Sequence, residues 1–442
     1  MIHLVALALP VGAHLAGWRH PDAFHNSVGD LEAHLRMVEI AERGKFDAYF
    51  IADVNGVKYM SEPDLLKYNP PPSSPGGYEP ITFLAAAAMR TKHIGLVGTT
   101  TTTFEEPYSV ARKFASLDLI SHGRAGWNIV TSGYPEDTKN FTSGETMEHD
   151  ARYKRATEFV DVATGLWDSW APDAFVQDIE TGYFLDPDRV RELNHVGEHF
   201  SVKGPLNCAR SPQGHTVLFH AGQSEAGREL AARVADCVFF GATDKDIAKS
   251  IYDDIKGRMA KYGRTPDQLK MFCGMIVYTG KTAEQADILL EELNDLIPDS
   301  LGVAMLSNTV EYDLSQHDID DPMPILPETS NMIRSVRKIF NDRIRKEPMS
   351  IRQIVRQVIP GLGHPIFKGS GADVADKMIE WYEHGGCDGF IVLGPVQPRG
   401  LEDFVDFVVP ELQRRGMYRT EYEGATLREN MGLPLPKSQW DQ

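Results

Sequence analysis

Several things that would settle an identity quickly are scarce or missing from these 442 residues. There are four cysteines, Cys208, Cys237, Cys273 and Cys387, far apart and with no C-x-x-C pair. That spacing favours buried free thiols in a reducing cytoplasm over a disulfide framework or a cysteine zinc site. No apolar run reaches the ~18 residues that a membrane span needs. The apolar start, Ile2 to Leu9, has no basic segment before it, and it reads as a first strand rather than a signal peptide. Positive charge is also short: 45 Lys and Arg against 63 Asp and Glu leave a net charge of −18. Such a surface repels nucleic acid and anionic membranes, although a local pocket can still be basic. G-x-G-x-x-G, the P-loop, H-E-x-x-H and G-x-S-x-G are all absent. Their absence argues against a classical dinucleotide-binding dehydrogenase, a P-loop enzyme, a zinc protease and an α/β-hydrolase.

What is present is a large apolar fraction, 42%, with six Trp and 20 Phe, enough for a substantial core. The stretch Ala115–Ser132 shows how it is used. A helix carrying Phe114, Leu117 and Ile120 ends near Gly123, with His122 and Arg124 at the negative end of its dipole. A short run, Ala125 to Val130, follows; it is too short for a helix and reads as a buried strand. It stops in Thr131-Ser132-Gly133, which brings hydroxyls and N–H groups to the strand's carboxyl end. Similar units recur. Strands are predicted at 2–9, 46–52, 94–100, 126–130, 216–221, 237–240, 270–278 and 389–393, mostly separated by amphipathic helices. Eight such units predict one (β/α)₈ TIM barrel spanning 1–442; an open doubly wound sheet is the alternative. Insertions are expected at about 55–79 (five prolines), 131–149, 169–215 and 298–370. A turn-rich tail at 418–442 is suited to reach a neighbouring subunit.

Ligands in such sheets bind at the carboxyl ends of strands, where Asp53, Thr102, Asn128, Ser132 and Ser224 fall. Ser224 opens a helix in Gly222-Gln223-Ser224-Glu225-Ala226-Gly227. It is an N-cap by its chemistry, and a helix start between glycines also holds a phosphate. Tyr153, four residues after His149, is either a core aromatic or a hydroxyl aimed at the same anion. Asp53 fits a base, a ring partner or a loop cap. Of Thr99–Thr103, β-propensity accounts for most, leaving one or two hydroxyls for a ligand. His14 follows the first strand and is the candidate acid, base or substrate ligand. His195 and His199 flank Glu198 in a loop, not in metal-ligand spacing, so no metal is expected.

These segments, with Glu42–Asp47, Glu106–Ser132, His149–Tyr153, Ser211–Gly214, Ala221–Arg228 and Val408–Gly416, resemble the luciferase-like flavin monooxygenases. The branch is the one containing nitrilotriacetate, EDTA, dibenzothiophene-sulfone and long-chain alkane monooxygenases. The resemblance implies a barrel that binds reduced FMN (FMNH₂) from a separate NAD(P)H:flavin reductase and uses O₂ on a small organic substrate. It implies a homodimer or homotetramer. Carried over, Asp53 and Asn128 are neighbours of the flavin ring, with Thr102 and Ser132 nearby. His149, Tyr153, Ser224, Glu225 and Gly227 belong to the phosphate end. Gly133 departs from the alkane enzyme, which has a histidine there, and His14 is left as the catalytic candidate. Arg19, Lys58, Lys67 and Lys139 are the basic groups available to an anionic substrate. The competing expectation is a flavin-independent barrel hydrolase, which needs two converging carboxylates.

Overall fold

The computed structural model describes the whole chain except residues 10, 26–27, 58, 61, 69–76, 142–145, 328–333, 362, 439 and 441–442. Eight parallel strands form its centre: β1 His3–Leu7, β2 Ala48–Ile51, β3 Gly95–Thr101, β4 Ala125–Val130, β5 Val217–His220, β6 Cys237–Phe240, β7 Lys270–Gly280 and β8 Gly389–Leu393. Each pairs with the next in order. Lys270–Cys273 of β7 lies beside Cys237–Phe240 of β6, and Phe272–Ile276 of the same strand beside β8. β8 in turn pairs with β1, His3 beside Gly389, so the ring closes. This is the expected TIM barrel and not the open sheet, which would keep two free edges. A further strand, Ile366–Ser370, was not legible within the third insertion; it pairs in parallel with the distal half of β7, Ile276–Gly280.

Period-two alternation sorts the strand residues. On β4, Trp127 and Ile129 face outward, the indole meeting Phe114 of helix α3 (α1 Leu31–Arg43, α2 Pro80–Arg90, α3 Pro107–Ile120) at 5.7 Å between centroids. The same indole meets Phe159 of α4, His149–Trp167, at 5.8 Å. Asn128 therefore turns into the barrel. The interior below it is aromatic, with Phe50, Phe219 and Phe272 in one apolar cluster. Helices α5 Glu225–Val234, α6 Lys245–Arg258, α7 Ala283–Asp295 and α8 Gly371–Glu383 continue the outer ring.

Arg124 does stand at the end of α3, and it reaches the end of α2 as well. It is 2% exposed, and its guanidinium donates to the carbonyls of Ser121 (2.7 Å), Ile94 (2.9 Å), Ala88 and Thr91 (3.1 Å each) and to Thr91 Oγ1 (2.9 Å). It ties the end of α2 to the starts of β3 and β4. Helix α4 begins at His149, with Glu148 at the cap position.

The Ser211–Gly214 segment also acquires a structural role. Asp118 of α3, fully buried, accepts from Ala125 N (2.8 Å), Gln213 Nε2 (2.8 Å) and the Ser211 hydroxyl. That clasp holds the 169–215 insertion against the base of β4.

The tail from Tyr418 packs on its own barrel rather than reaching outward. Tyr418 is buried, its hydroxyl donating to Gly44 O at 3.1 Å. Arg428 is buried against Asp236, Nη2 to Oδ2 2.8 Å. Met431 and Leu433 join the inner core beside Val217 and Cys237. A Cβ on Gly95 would lie 2.4 Å from Leu427 Cδ1, so the glycine of β3 is what lets the tail seat there. The end of the barrel opposite the expected site is thus closed by the chain's own C-terminus.

The first and third insertions leave from the carboxyl ends of β2 and β7 and meet each other. Leu65 of helix Pro63–Tyr68 shares a core with Leu301 and Leu306 of helix Asp299–Val310, joined by Leu15 from the β1 loop. No helix among the described residues is long and apolar enough to cross a membrane. The four cysteines are free thiols, three of them buried, and no group able to hold a metal ion occurs among the described residues.

Candidate active site

At the carboxyl rim, Asn128 is held by a relay. Its Nδ2 donates to Thr99 Oγ1 at 2.8 Å, and that hydroxyl donates to Ile51 O at 2.7 Å. Three adjacent strands thereby fix one amide, and its Oδ1 is buried with no hydrogen-bond partner. A buried acceptor left open is costly unless a ligand completes it. Thr99 of this relay also lines a cleft of ≈ 360 Å³, together with Asp53, Glu79, Thr101, Glu105, Lys113 and Val130.

Asp53 is pushed up to about 6, first by burial and then by the nearby carboxylates of Glu79 and Asp137, against the pull of the Val54 N–H. A carboxyl raised in the folded state ionises at a cost to folding. Stability should therefore fall as pH rises from about 4 to about 6. We expect Asp53→Asn to melt above the wild type at pH 7 and level with it at pH 4, measured as Tm against pH; parallel curves would remove the burial argument.

A second centre forms where β5 meets α5. Ser224 caps α5, its Oγ accepting from Gly227 N at 3.1 Å. Gly227 is forced by crowding: a Cβ there would stand 2.8 Å from Gly222 C. A Cβ on Gly222 would lie 2.4 Å from His220 Nε2 and 2.8 Å from the Tyr153 hydroxyl. The tyrosine, a histidine, a glycine loop and a helix start thus converge on one small space. The sequence pattern does not single out His220, because alternation turns it outward, away from the barrel axis; its place at the end of β5, two residues before Gly222, is the signal. Its Nδ1 lies 2.9 Å from Ile129 O, so that nitrogen carries the proton, and Nε2 is buried without a partner. Burial lowers its pKa and keeps the ring neutral.

Other predicted residues fall at different distances from this chemistry. Thr102 is buried, but its hydroxyl donates to Val130 O at 3.2 Å. The Ser132 carbonyl accepts from Thr103 Oγ1 at 3.3 Å. The His149 ring lies tilted beside Tyr153, 4.9 Å between centroids, and its Nδ1 contacts Asp150 at 3.0 Å. Glu225 is exposed and pairs with Arg258. His14 stands in the loop after β1, its backbone N–H donating to Pro395 O at 3.1 Å in the loop after β8; its Nδ1 accepts from Ala16 N at 3.1 Å, its Nε2 is buried without a partner, and the ring lies beside Asn294 of α7. Burial lowers its pKa to about 4. Gly133 has its own reason, because a Cβ there would stand 2.7 Å from Arg152 Nη2. Of the four basic candidates, Arg19 donates to Leu296 O, and Lys67 and Lys139 are exposed; Lys58 lies outside the described residues.

A parallel barrel with a buried amide on one strand end and a glycine-flanked helix start on the next is an architecture suited to a cofactor-dependent barrel enzyme. The chain belongs to the luciferase-like monooxygenase family, whose match covers residues 12–386, and it is an enzyme of that family. It is 43% identical over 431 residues to N-acetyl-S-(2-succino)cysteine monooxygenase of Bacillus subtilis (strain 168), covering 97% of this chain and 96% of that protein. It is 44% identical over 432 residues to nitrilotriacetate monooxygenase component A of Aminobacter aminovorans, covering 97% and 95%. Among solved structures, a riboflavin lyase crystallised with modified FMN and riboflavin superposes with a TM-score of 0.83 at 29% identity, covering 98% of this chain and 96% of that one.

Proposed function

We propose that this chain is the oxygenase of a two-component system that takes FMNH₂ from a separate NAD(P)H:flavin reductase and oxidises a small organic acid with O₂. The observation that carries it is the pairing of an open buried acceptor, Asn128 Oδ1, with the cradle at Gly222–Gly227. One fits a ring N–H; the other fits a phosphate. Reduced FMN, when bound, supplies the activation of O₂.

The chain's own residues do the rest. The first-turn N–H groups of α5 and the Tyr153 hydroxyl hold the phosphate without a dedicated cation. Asn128, fixed through Thr99, orients the ring. Asp53, with its raised pKa, stands at the same cleft and can hold or release a proton near pH 6. The helices Pro63–Tyr68 and Asp299–Val310, joined through Leu65 and Leu301, follow the carboxyl ends of β2 and β7 and help to exclude water. Arg152, whose guanidinium stands over Gly133, has no carboxylate partner among the described residues and supports an anionic substrate. Two relatives are named for acids of that kind, N-acetyl-S-(2-succino)cysteine and nitrilotriacetate, and the substrate class favoured here is a small polycarboxylate bearing nitrogen or sulfur. The word component in the second name supports a reductase partner.

The test is a panel of aminopolycarboxylates and succinylated thiols incubated with the chain, FMN, NADH and a flavin reductase. The expected result is O₂-dependent substrate loss that requires all four. Substrate loss without flavin would favour the barrel hydrolase, which none of the relatives supports.

A further inference from the structure

The barrel mouth has an aromatic floor, Phe50 meeting Phe219 at 5.9 Å and Phe239 at 6.2 Å between centroids. On Phe239 lies another ring, His364, 5.8 Å away and within 14° of parallel. His364 comes from the third insertion, just before the extra strand Ile366–Ser370. Two glycines make room for it. Gly274 occupies an inward position of β7, between the outward Cys273 and Met275, and a Cβ there would stand 2.8 Å from His364 Nδ1. A Cβ on Gly241, just past β6, would stand 3.6 Å from the same nitrogen and 3.7 Å from Gln223 Nε2. The imidazole thus sits within the ring of strand ends, beside the residue that precedes Ser224.

Its Nδ1 is buried and makes no hydrogen bond of acceptable geometry. Folded chains leave few such atoms, and one at a barrel mouth calls for a partner that arrives. Burial holds the pKa below the ordinary histidine value, against a smaller pull from the Gly274 backbone, so the ring is neutral at pH 7 with one N–H and one lone pair. The two other histidines with open buried ring nitrogens near the strand ends are placed elsewhere: His14 against α7, His220 beneath the cradle.

We propose that His364 is a cofactor-contacting residue of this site, touching the bound flavin ring at the barrel mouth with Phe239 behind it. This rests on the flavin reading above. The same position gives the third insertion a direct hold on the cofactor, since the loop that carries His364 also leads into the strand beside β7.

The test uses the full chain with ¹³C,¹⁵N-labelled histidine, titrated anaerobically with reduced FMN. Comparison with His364→Asn assigns the resonance. The expected result is that the His364 imidazole signals move with flavin while those of His14 stay. His364→Ala should weaken reduced-FMN binding about tenfold, the loss expected for one hydrogen bond and a ring contact. His364→Asn, which keeps a donor and an acceptor, should recover most of it. If the wild type binds reduced FMN while His364 stays silent and His364→Ala binds equally well, the assignment is overturned and the flavin reading survives. If the wild type binds no reduced FMN, both fall.

Discussion

Gly222→Ala should cost this chain about 100-fold in affinity for reduced FMN while leaving the barrel folded. The added methyl would sit 2.4 Å from His220 Nε2 and 2.8 Å from the Tyr153 hydroxyl. His220 is fully buried and tied to Ile129 O, so it cannot retreat. The methyl must fill the space assigned to the phosphate or push the tyrosine out of it. Losing two charge-assisted hydrogen bonds of about 1.5 kcal/mol each amounts to about 3 kcal/mol, or two decades in Kd. Riboflavin, which lacks the phosphate, should lose much less. The comparison is an anaerobic fluorescence titration of both ligands against wild type and variant, with circular dichroism as the check on folding. Equal losses for FMN and riboflavin would place the phosphate somewhere else.

The second large effect concerns the fold. Arg124→Ala should destabilise the chain by about 3 kcal/mol, at the upper end of single substitutions. Four buried carbonyls and one hydroxyl receive its guanidinium, and the deletion strands them in a cavity that water enters poorly. Because no carboxylate neutralises Arg124 directly, the interaction is not an ion pair, and high salt should not weaken it. Arg124→Lys, with fewer donors and no planar fork, should fall between wild type and alanine. A thermal melt read at low and high salt checks both statements. A shift in Tm of less than about 2 °C for the alanine variant would contradict the role given to this residue.

Much of this architecture is legible in the order of residues alone, and the reasons are local. Short β-branched or apolar runs such as Ala125–Val130 and Cys237–Phe240 can hardly be anything but buried strands, and they occur with those bounds. Ser224 as a cap is a matter of one side chain and three residues of backbone. The features that local pattern does not reveal depend on where distant segments meet. Arg124 reads as a helix-end charge until α2 is seen to end beside it. The tail from Tyr418 is turn-rich in sequence, yet it spends Arg428 and Leu427 on the base of its own barrel. The strand Ile366–Ser370 contains two potential breakers, Gly369 and Ser370, and follows a proline, so no pattern marks it. That His14, which follows the first strand, packs its ring beside Asn294 likewise depends on a distant helix. His364 carried no signal beyond a histidine between glycine and proline, and only the glycines at 241 and 274 show why it stands at the mouth.

The proposed function requires a flavin to lie across the carboxyl rim with its phosphate between Tyr153 and the start of α5. The direct measurement is a crystal structure of the chain soaked anaerobically with reduced FMN. The account predicts the phosphate within hydrogen-bond reach of the Tyr153 hydroxyl and the N–H groups of 224–227, with Asn128 Oδ1 accepting from the ring. Density for flavin at any other place, or a phosphate that leaves the cradle at Gly222 empty, would contradict it.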